Sequence, residues 1–515
     1  VIRIVFGLLA MLYPHAAFGE EPLLLEDVLQ SSARHSPAII EAINKEQAAQ
    51  GKQLSAYGAF DTVVDIDMKS RALGYYDGTY LDGDITRPLT SNGGKLYGGY
   101  RVSRGEFPVY DGKAYTNRFG EARVGTVFSL LRDRVTDDRR TQVGLAALDV
   151  ELARLDRDLV AIDVQRRAIA AYQEWVAAGM RVGLYRDLLG LAAERQTSIE
   201  RQIQLGARPG ILGTENQQNI VRRETLLVRA QRELDSAANA LSFYLRDANG
   251  EPYVPSADRL PASLPSFDLP QIDALLRNGL SRPEFNAVLV RLNQAEARLR
   301  LAENDLKPRL DLQAELSKDV GPVGLGGSTR TPTEGYVGFQ FSLPLQRRKA
   351  RGRIAEAEAE ARALAARRRL IEDRILVEVN ELAIEVRATD KLVALAADET
   401  RLAQRMASAE RRRFTLGASE VLVVNLREES AADARLRQIE AEYRRASARA
   451  DLIAATVDRE QLGLEPVPSG VRYDDAEIYC VGCQQPQSRH ARDPAPQRQG
   501  EDHQPARKDN SDVEW

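Results

Sequence analysis

The residues that could do chemistry are few, and their spacing suits none. The four histidines are His15, His35, His490 and His503. Three of them lie near the ends of the chain, so the set builds neither a Ser/His/Asp arrangement nor a metal site in the body. Cys480-x-x-Cys483 is half of a zinc-knuckle spacing. His490 is the candidate third ligand, and there is no second half. Asp137-Asp138 and Glu428-Glu429 are sequence neighbours. On a helix, neighbours point to different faces, so neither pair is an acid/base couple. The expectation is no catalytic residue, no metal and no cofactor. The runs Arg367-Arg368-Arg369 and Arg411-Arg412-Arg413 sit among glutamates, and the net charge is −4. Interspersed signs on helical stretches describe a solvated face and speak against a nucleic-acid partner.

The elements that carry these residues come next. Arg3 precedes an apolar run from Ile4 to Tyr13, and Ala17-Phe18-Gly19 follows with small residues where a signal peptidase reads. Residues 1–19 therefore read as a cleaved export signal, because the run is too short to span a bilayer. After residue 20 no apolar stretch reaches the ~18 residues of a membrane helix. If the exported chain enters a membrane, it must do so with strands. Both cysteines lie in the polar segment 466–515, whose Gln, Asp, Arg and Pro content reads as disordered.

The chain repeats itself. Asp27-Val-Leu and Ser36-Pro37 return as Asp273-Ala-Leu and Arg282-Pro283, 246 residues later. Val124-Gly125 with Phe128-Ser129-Leu130 returns as Val337-Gly338 with Phe341-Ser342-Leu343 at an offset of 213. Leu205-Gly206-Ala207 returns as Leu416-Gly417-Ala418 at an offset of 211. Landmarks recurring in one order mean a duplication. The copies are residues 20–260 and 261–465, and the first holds 33 extra residues before its Val-Gly strand. They fall in 70–118, where glycines and seven tyrosines (75, 76, 80, 97, 100, 110 and 115) predict an elaborated extracellular loop with aromatic residues at the membrane interface.

Each copy has one grammar: a helix after the proline, a strand, a Gly-rich loop, a second strand and a long helical hairpin. Strands are expected near 61–69, 121–131, 309–318 and 336–345. In the second copy Leu310, Leu312, Ala314 and Leu316 alternate with Arg309, Asp311, Gln313 and Glu315, as a strand between lipid and water requires. No proline occurs from Asp111 through Arg208 or from Leu345 through Glu465. Ile375, Val379, Leu382, Val386 and Val393 form a heptad seam. A helix from Arg132 to Leu205 would be ~110 Å long at 1.5 Å per residue. Gly206 and Gly417 are placed to end each long helix and start the returning one. Four strands cannot close a barrel in one chain, and an open edge in lipid leaves backbone groups unpaired. Two chains would supply eight strands, enough only for a filled barrel. Three would supply twelve and leave a bore.

The duplicated plan, the Val-Gly-x-x-Phe-Ser-Leu-x-Leu strand before a long helix, and Phe414-Thr-Leu-Gly417 with Gly417-Ala-Ser-Glu-Val-Leu-Val-Val-Asn425-Leu-Arg427-Glu428 resemble the TolC-like outer-membrane efflux proteins. The resemblance covers about residues 23–465. It implies a fold that is mainly α with membrane β: a homotrimer whose twelve-stranded barrel continues as an α-helical periplasmic tunnel. It implies a place in the outer membrane, in contact with its lipid. Its expected partners are a periplasmic adaptor and an inner-membrane transporter, for drug efflux or type I secretion. The alternative is a periplasmic coiled-coil adaptor or scaffold. In the family, acidic residues narrow the tunnel after the turn glycine. Six and nine places after Gly417 stand Val423 and Leu426, so those acids are missing; a one-residue deletion would place Asn425 there. The gate candidates are therefore Glu420, Asn425 and, in the first copy, Glu215, with Arg427 and Arg411–Arg413 as donors.

Overall fold

The computed structural model describes residues 21–247, 249–269 and 281–464. The export-signal stretch, the segment 466–515 with Cys480, Cys483 and His490, and the Asp273-Ala-Leu repeat lie outside the described residues.

The first copy opens with α1 (Leu25–His35) and α2 (Pro37–Tyr57). Ser36 breaks them with extended backbone, as a residue before proline prefers, and Pro37 begins α2. Four strands follow: β1 (Val63–Ser70), β2 (Thr79–Pro88), β3 (Lys95–Arg104) and β4 (Glu121–Ser129). The long helix α3 (Asp138–Gln204) and the returning α4 (Ile211–Leu241) complete the copy. The second copy contains α5 (Pro283–Asn304), β5 (Arg309–Asp319), β6 (Glu334–Ser342), α6 (Arg348–Thr415) and α7 (Val421–Ala455). The long helices have 67 and 68 residues, about 100 Å each. None of the described helices is long and apolar enough to cross a membrane.

Helix α3 is the post of the molecule. It packs against α1, α2, α4, α5 and α7. Its middle buries Ile169, Tyr172, Trp175 and Val176 against Leu234 and Leu241 of α4 and Ile453 of α7. The Tyr172 hydroxyl donates to the Leu23 carbonyl at 2.7 Å, which ties down the start of the described chain. Helix α6 packs only on α5 and α7 to a comparable extent. Its seam is the expected one: Ile375, Val379 and Val386 are buried, with Leu382 packed beside them.

The six strands form one antiparallel meander in chain order. This corrects the reading of 70–118 as a loop and of four strands per chain. Strands β2 and β3 lie inside that segment; they pair with each other along their whole length, and β2 pairs with all of β1. The alternation was hidden by glycine. Gly83 and Gly98 occupy the apolar face of the added hairpin, and Gly99 the polar one. Through the registers, Ile66, Leu81, Tyr100, Val124, Leu316 and Val337 share one face across all six strands. Asp67, Asp82, Arg101 and Glu121 share the other. One side is therefore apolar and the other polar, the alternation that a strand between lipid and water requires.

Candidate functional site at the hairpin tips

Both long helices end in the same capping geometry. Gly206 and Gly417 have φ of 68° and 76°, the left-handed region that glycine enters at least cost. Around Gly206, the Gly206 N–H donates to Ile203 and Ala207 to Gln202, both at 2.9 Å. Around Gly417, the Gly417 N–H donates to Phe414 at 3.0 Å and Ala418 to Arg413 at 2.8 Å. These are Schellman caps, which satisfy the last helical carbonyls. The duplicated glycines of the sequence are thus duplicated turns.

The two tips pack on each other. Phe414 is buried with Ile199, Val421 and Val424. The Arg208 guanidinium lies 5.6 Å from the Phe414 ring centre, a cation–π contact from the first tip to the second. Glu410 accepts from Ser419 and pairs with Arg413 at 3.3 Å, which braces the second turn.

About two turns inside the tips lies a buried charge cluster that the sequence reading missed. Glu428 of α7, 2% exposed, pairs with Arg195 of α3 and, at 2.9 Å, with Arg223 of α4. Arg223 also donates to the Leu188 carbonyl at 2.6 Å. Asn425 accepts from Arg195 and, at 2.9 Å, from Asn219. Burial draws the Arg223 pKa down, while the hydrogen bond and charge of Glu428 act the other way. The cluster joins both hairpins at one level. Removing one partner of such a group leaves a buried charge unpaired.

The expected gate residues divide into two sets. Asn425 belongs to this cluster, held by Arg195 and Asn219 rather than by Arg427. Arg427, half-buried, makes no ion pair among the described residues, and Arg413 serves Glu410. Glu420 is the N-cap of α7 and is exposed, with no side-chain cap, and Glu215 is exposed on the second turn of α4. Within the chain, the acid held by arginine at this level is Glu428. A signal for it exists in sequence. Val421, Val424, Glu428 and Ala432 form one buried stripe, so Glu428 is a charge at a core position.

A second polar cluster lies on the wet face of the sheet. Arg123 of β4 reaches across β3 to Asp82 at 2.8 Å and Asp84 at 2.6 Å of β2. Arg101 of β3 pairs with Asp82 at 2.7 Å. Glu315 of β5 accepts from Tyr97 of β3 and, at 3.1 Å, from Tyr336 of β6.

Comparison with known proteins bears on this arrangement. Residues 277–456 match the family model described as outer membrane efflux protein. The matched stretch takes in α5, the β5–β6 hairpin and all of α6 and α7, so Asn425 and Glu428 lie within it. Comparison with curated proteins by sequence gave no match. Among solved structures, the outer membrane protein VceC of Vibrio cholerae is 16% identical, covering 84% of this chain and 95% of its own at a TM-score of 0.59. The CmeC outer membrane channel of Campylobacter jejuni is 13% identical, with 84% and 85% covered and a TM-score of 0.57. The open state of the MtrE outer membrane channel of Neisseria gonorrhoeae is 15% identical, with 84% and 88% covered and a TM-score of 0.58. These likenesses extend the fold of outer-membrane efflux channels over both copies.

Proposed function

We propose that the chain is the outer-membrane exit duct of an export system, a passive channel that carries substrates across the periplasm and outer membrane. The observation that carries it is the join of a two-faced sheet to helical hairpins about 100 Å long. The apolar face sits in outer-membrane lipid, and the hairpins extend a bore into the periplasm. A periplasmic adaptor or scaffold would need the hairpins but not the lipid-suited sheet.

The duct is a homotrimer in this reading. The sheet has open edges at β1 and β6, and lipid does not tolerate open edges. The outer faces of the helices also lack partners in one chain. Val377, Ile384 and Leu395 of α6 are 60–67% exposed, and Val221 and Val228 of α4 are 53% and 69% exposed. These stripes pack α6 of one protomer on α4 of the next as the tube closes. The hairpin tips meet a periplasmic adaptor, and through it an inner-membrane transporter of a drug-efflux or type I secretion system. Glu215 and Glu420 ring the narrow end, where like charges repel and favour the open or protonated state. Cell fractionation and native mass measurement in mild detergent test the reading. Outer-membrane partition with three chains is expected, and a stable folded monomer would overturn it. In planar bilayers Glu420→Ala is expected to weaken cation preference; unchanged selectivity would move the constriction elsewhere.

A further inference from the structure

We propose that three copies close an eighteen-stranded barrel in the membrane, not a twelve-stranded one, with β1 of each protomer paired antiparallel to β6 of the next. The proposal rests on the trimeric duct reading and adds the count, the seam and the width.

The β2–β3 hairpin behaves as wall and not as a loop. All eight residues of β1 pair with β2, and all ten of β2 with β3. Its turn, residues 89–94, reaches the helical end of the sheet. There the Ser91 carbonyl accepts from buried Arg140 of α3 at 3.1 Å. A Cβ on Gly93 would stand 2.0 Å from the Asp133 carbonyl oxygen, so the turn is seated against the β4–α3 junction. The hairpin therefore spans the full height of the sheet.

Its side chains are sorted like those of the other strands. Leu81 and Ile85 of β2, with Leu96 and Tyr100 of β3, point to the apolar side and are 44–52% exposed. On the wet side the hairpin is stitched to β4 and β5. Arg123 crosses β3 to reach Asp82 and Asp84 because Gly99 has no side chain; a Cβ there would lie 2.2 Å from the Asp84 carboxylate. Tyr97 reaches Glu315 over Gly125, where a Cβ would lie 2.4 Å from the Tyr97 ring. Expelling the hairpin from the wall would break these pairs and leave its apolar face in water.

The seam follows from direction and parity. Six strands alternate up and down, so β6 of one copy and β1 of the next run antiparallel. Apolar sides stay in register when Ile66 faces Val337. The same register sets Lys69 beside Glu334 on the wet face, an opposite-charge pair of the kind that supports sheets. Three sheets of six strands give eighteen. Barrel diameter grows roughly linearly with strand number, so the outlet is about half again as wide as a twelve-stranded one, in the range that leaves an aqueous channel.

The test uses the full chain in lipid, with Cys480 and Cys483 replaced by serine for the cysteine variants. Ile66→Cys with Val337→Cys should cross-link one protomer to the next and give covalent trimers. Thr86→Cys faces the bore and should react with a membrane-impermeant maleimide, whereas Ile85→Cys should lose that reaction in lipid. Electron cryomicroscopy of the unaltered trimer reads the strand count without any substitution. A trimer with twelve wall strands, or with Thr86→Cys and Ile85→Cys labelled alike, overturns the eighteen-stranded barrel and leaves the duct standing. Failure to form a trimer at all sinks the duct and the barrel together.

Discussion

The two copies share a plan but divide the work. The first contributes four strands and the post α3, which is packed on five other helices. The second contributes two strands and α6, which packs mainly on α5 and α7. The long helices differ by one residue in length, so neither length nor local propensity separates them. Burial does. Trp175, the largest fully buried side chain, is on α3, while α6 leaves Val377, Ile384 and Leu395 bare. Helix α3 is held within its own chain. Helix α6 is held by α5 and α7, and its outer face stays exposed in the single chain. A duplicated unit can thus supply a fixed wall and a more weakly held one from the same hairpin.

The sharpest way to break this comparison is to remove the link between the hairpins. Glu428→Ala strands Arg195 and Arg223 in the core and should cost about 3–5 kcal/mol at the tips. Hydrogen exchange across residues 190–225 and 410–435 would read it as loss of protection in both hairpins. Glu429→Ala removes only the surface pair with Arg222 at 3.2 Å and should cost under about 1 kcal/mol. Equal effects from the two would mean that the buried cluster does not hold the hairpins together.

The next effect sharpens the contrast between post and outer hairpin. Trp175→Ala should destabilise the chain by about 3–5 kcal/mol. Val379→Ala in the α6 seam removes a smaller buried side chain and should cost about 1.5–3 kcal/mol. Denaturant unfolding in detergent distinguishes them, and a larger loss at Val379 would reverse the assignment of the post.

The glycine turns should show no contrast. A Cβ at Gly206 or Gly417 meets no atom within 4 Å, so Gly206→Ala and Gly417→Ala carry only the left-handed backbone cost of about 1–2 kcal/mol each. The bulkier Gly417→Val should impair export. A neutral result at one turn and a large one at the other would show that a contact, and not φ, sets that cost.

The smallest effect is a pH dependence at the β4–α3 junction. Burial raises the Asp133 pKa, and the charge of Arg132 and the hydrogen bond from Asn304 oppose it. An acid whose pKa is raised on folding is held at a cost once ionised. Stability should therefore rise as pH falls through the raised pKa towards the unfolded value, then level off. Asp133→Asn suits the φ of 69° at this position and should flatten the profile. A slope that survives the substitution assigns the titration to another group.

Several features were legible in sequence because they are written locally. The duplication, the long helices, the α6 seam and the two turns each follow from periodicity or from a glycine where only a left-handed residue closes the cap. Strands β5 and β6 were legible for the same reason, since Leu310 to Leu316 alternates without interruption. Strands β2 and β3 were not, because Gly83, Gly98 and Gly99 erase the period that side chains would mark. Only pairing revealed them, through their ladders with β1, with each other and with β4, and through the contacts of Arg123 with Asp82 and Asp84 and of Tyr97 with Glu315. The same holds at the tips. Sequence placed Asn425 and Glu420 near a turn, but it could not say which arginine meets which acid. Arg195, Arg223 and Glu428 lie on three helices, up to 233 residues apart. Their meeting is decided by the packing of α7 on the first hairpin, a long-range choice that no local pattern encodes.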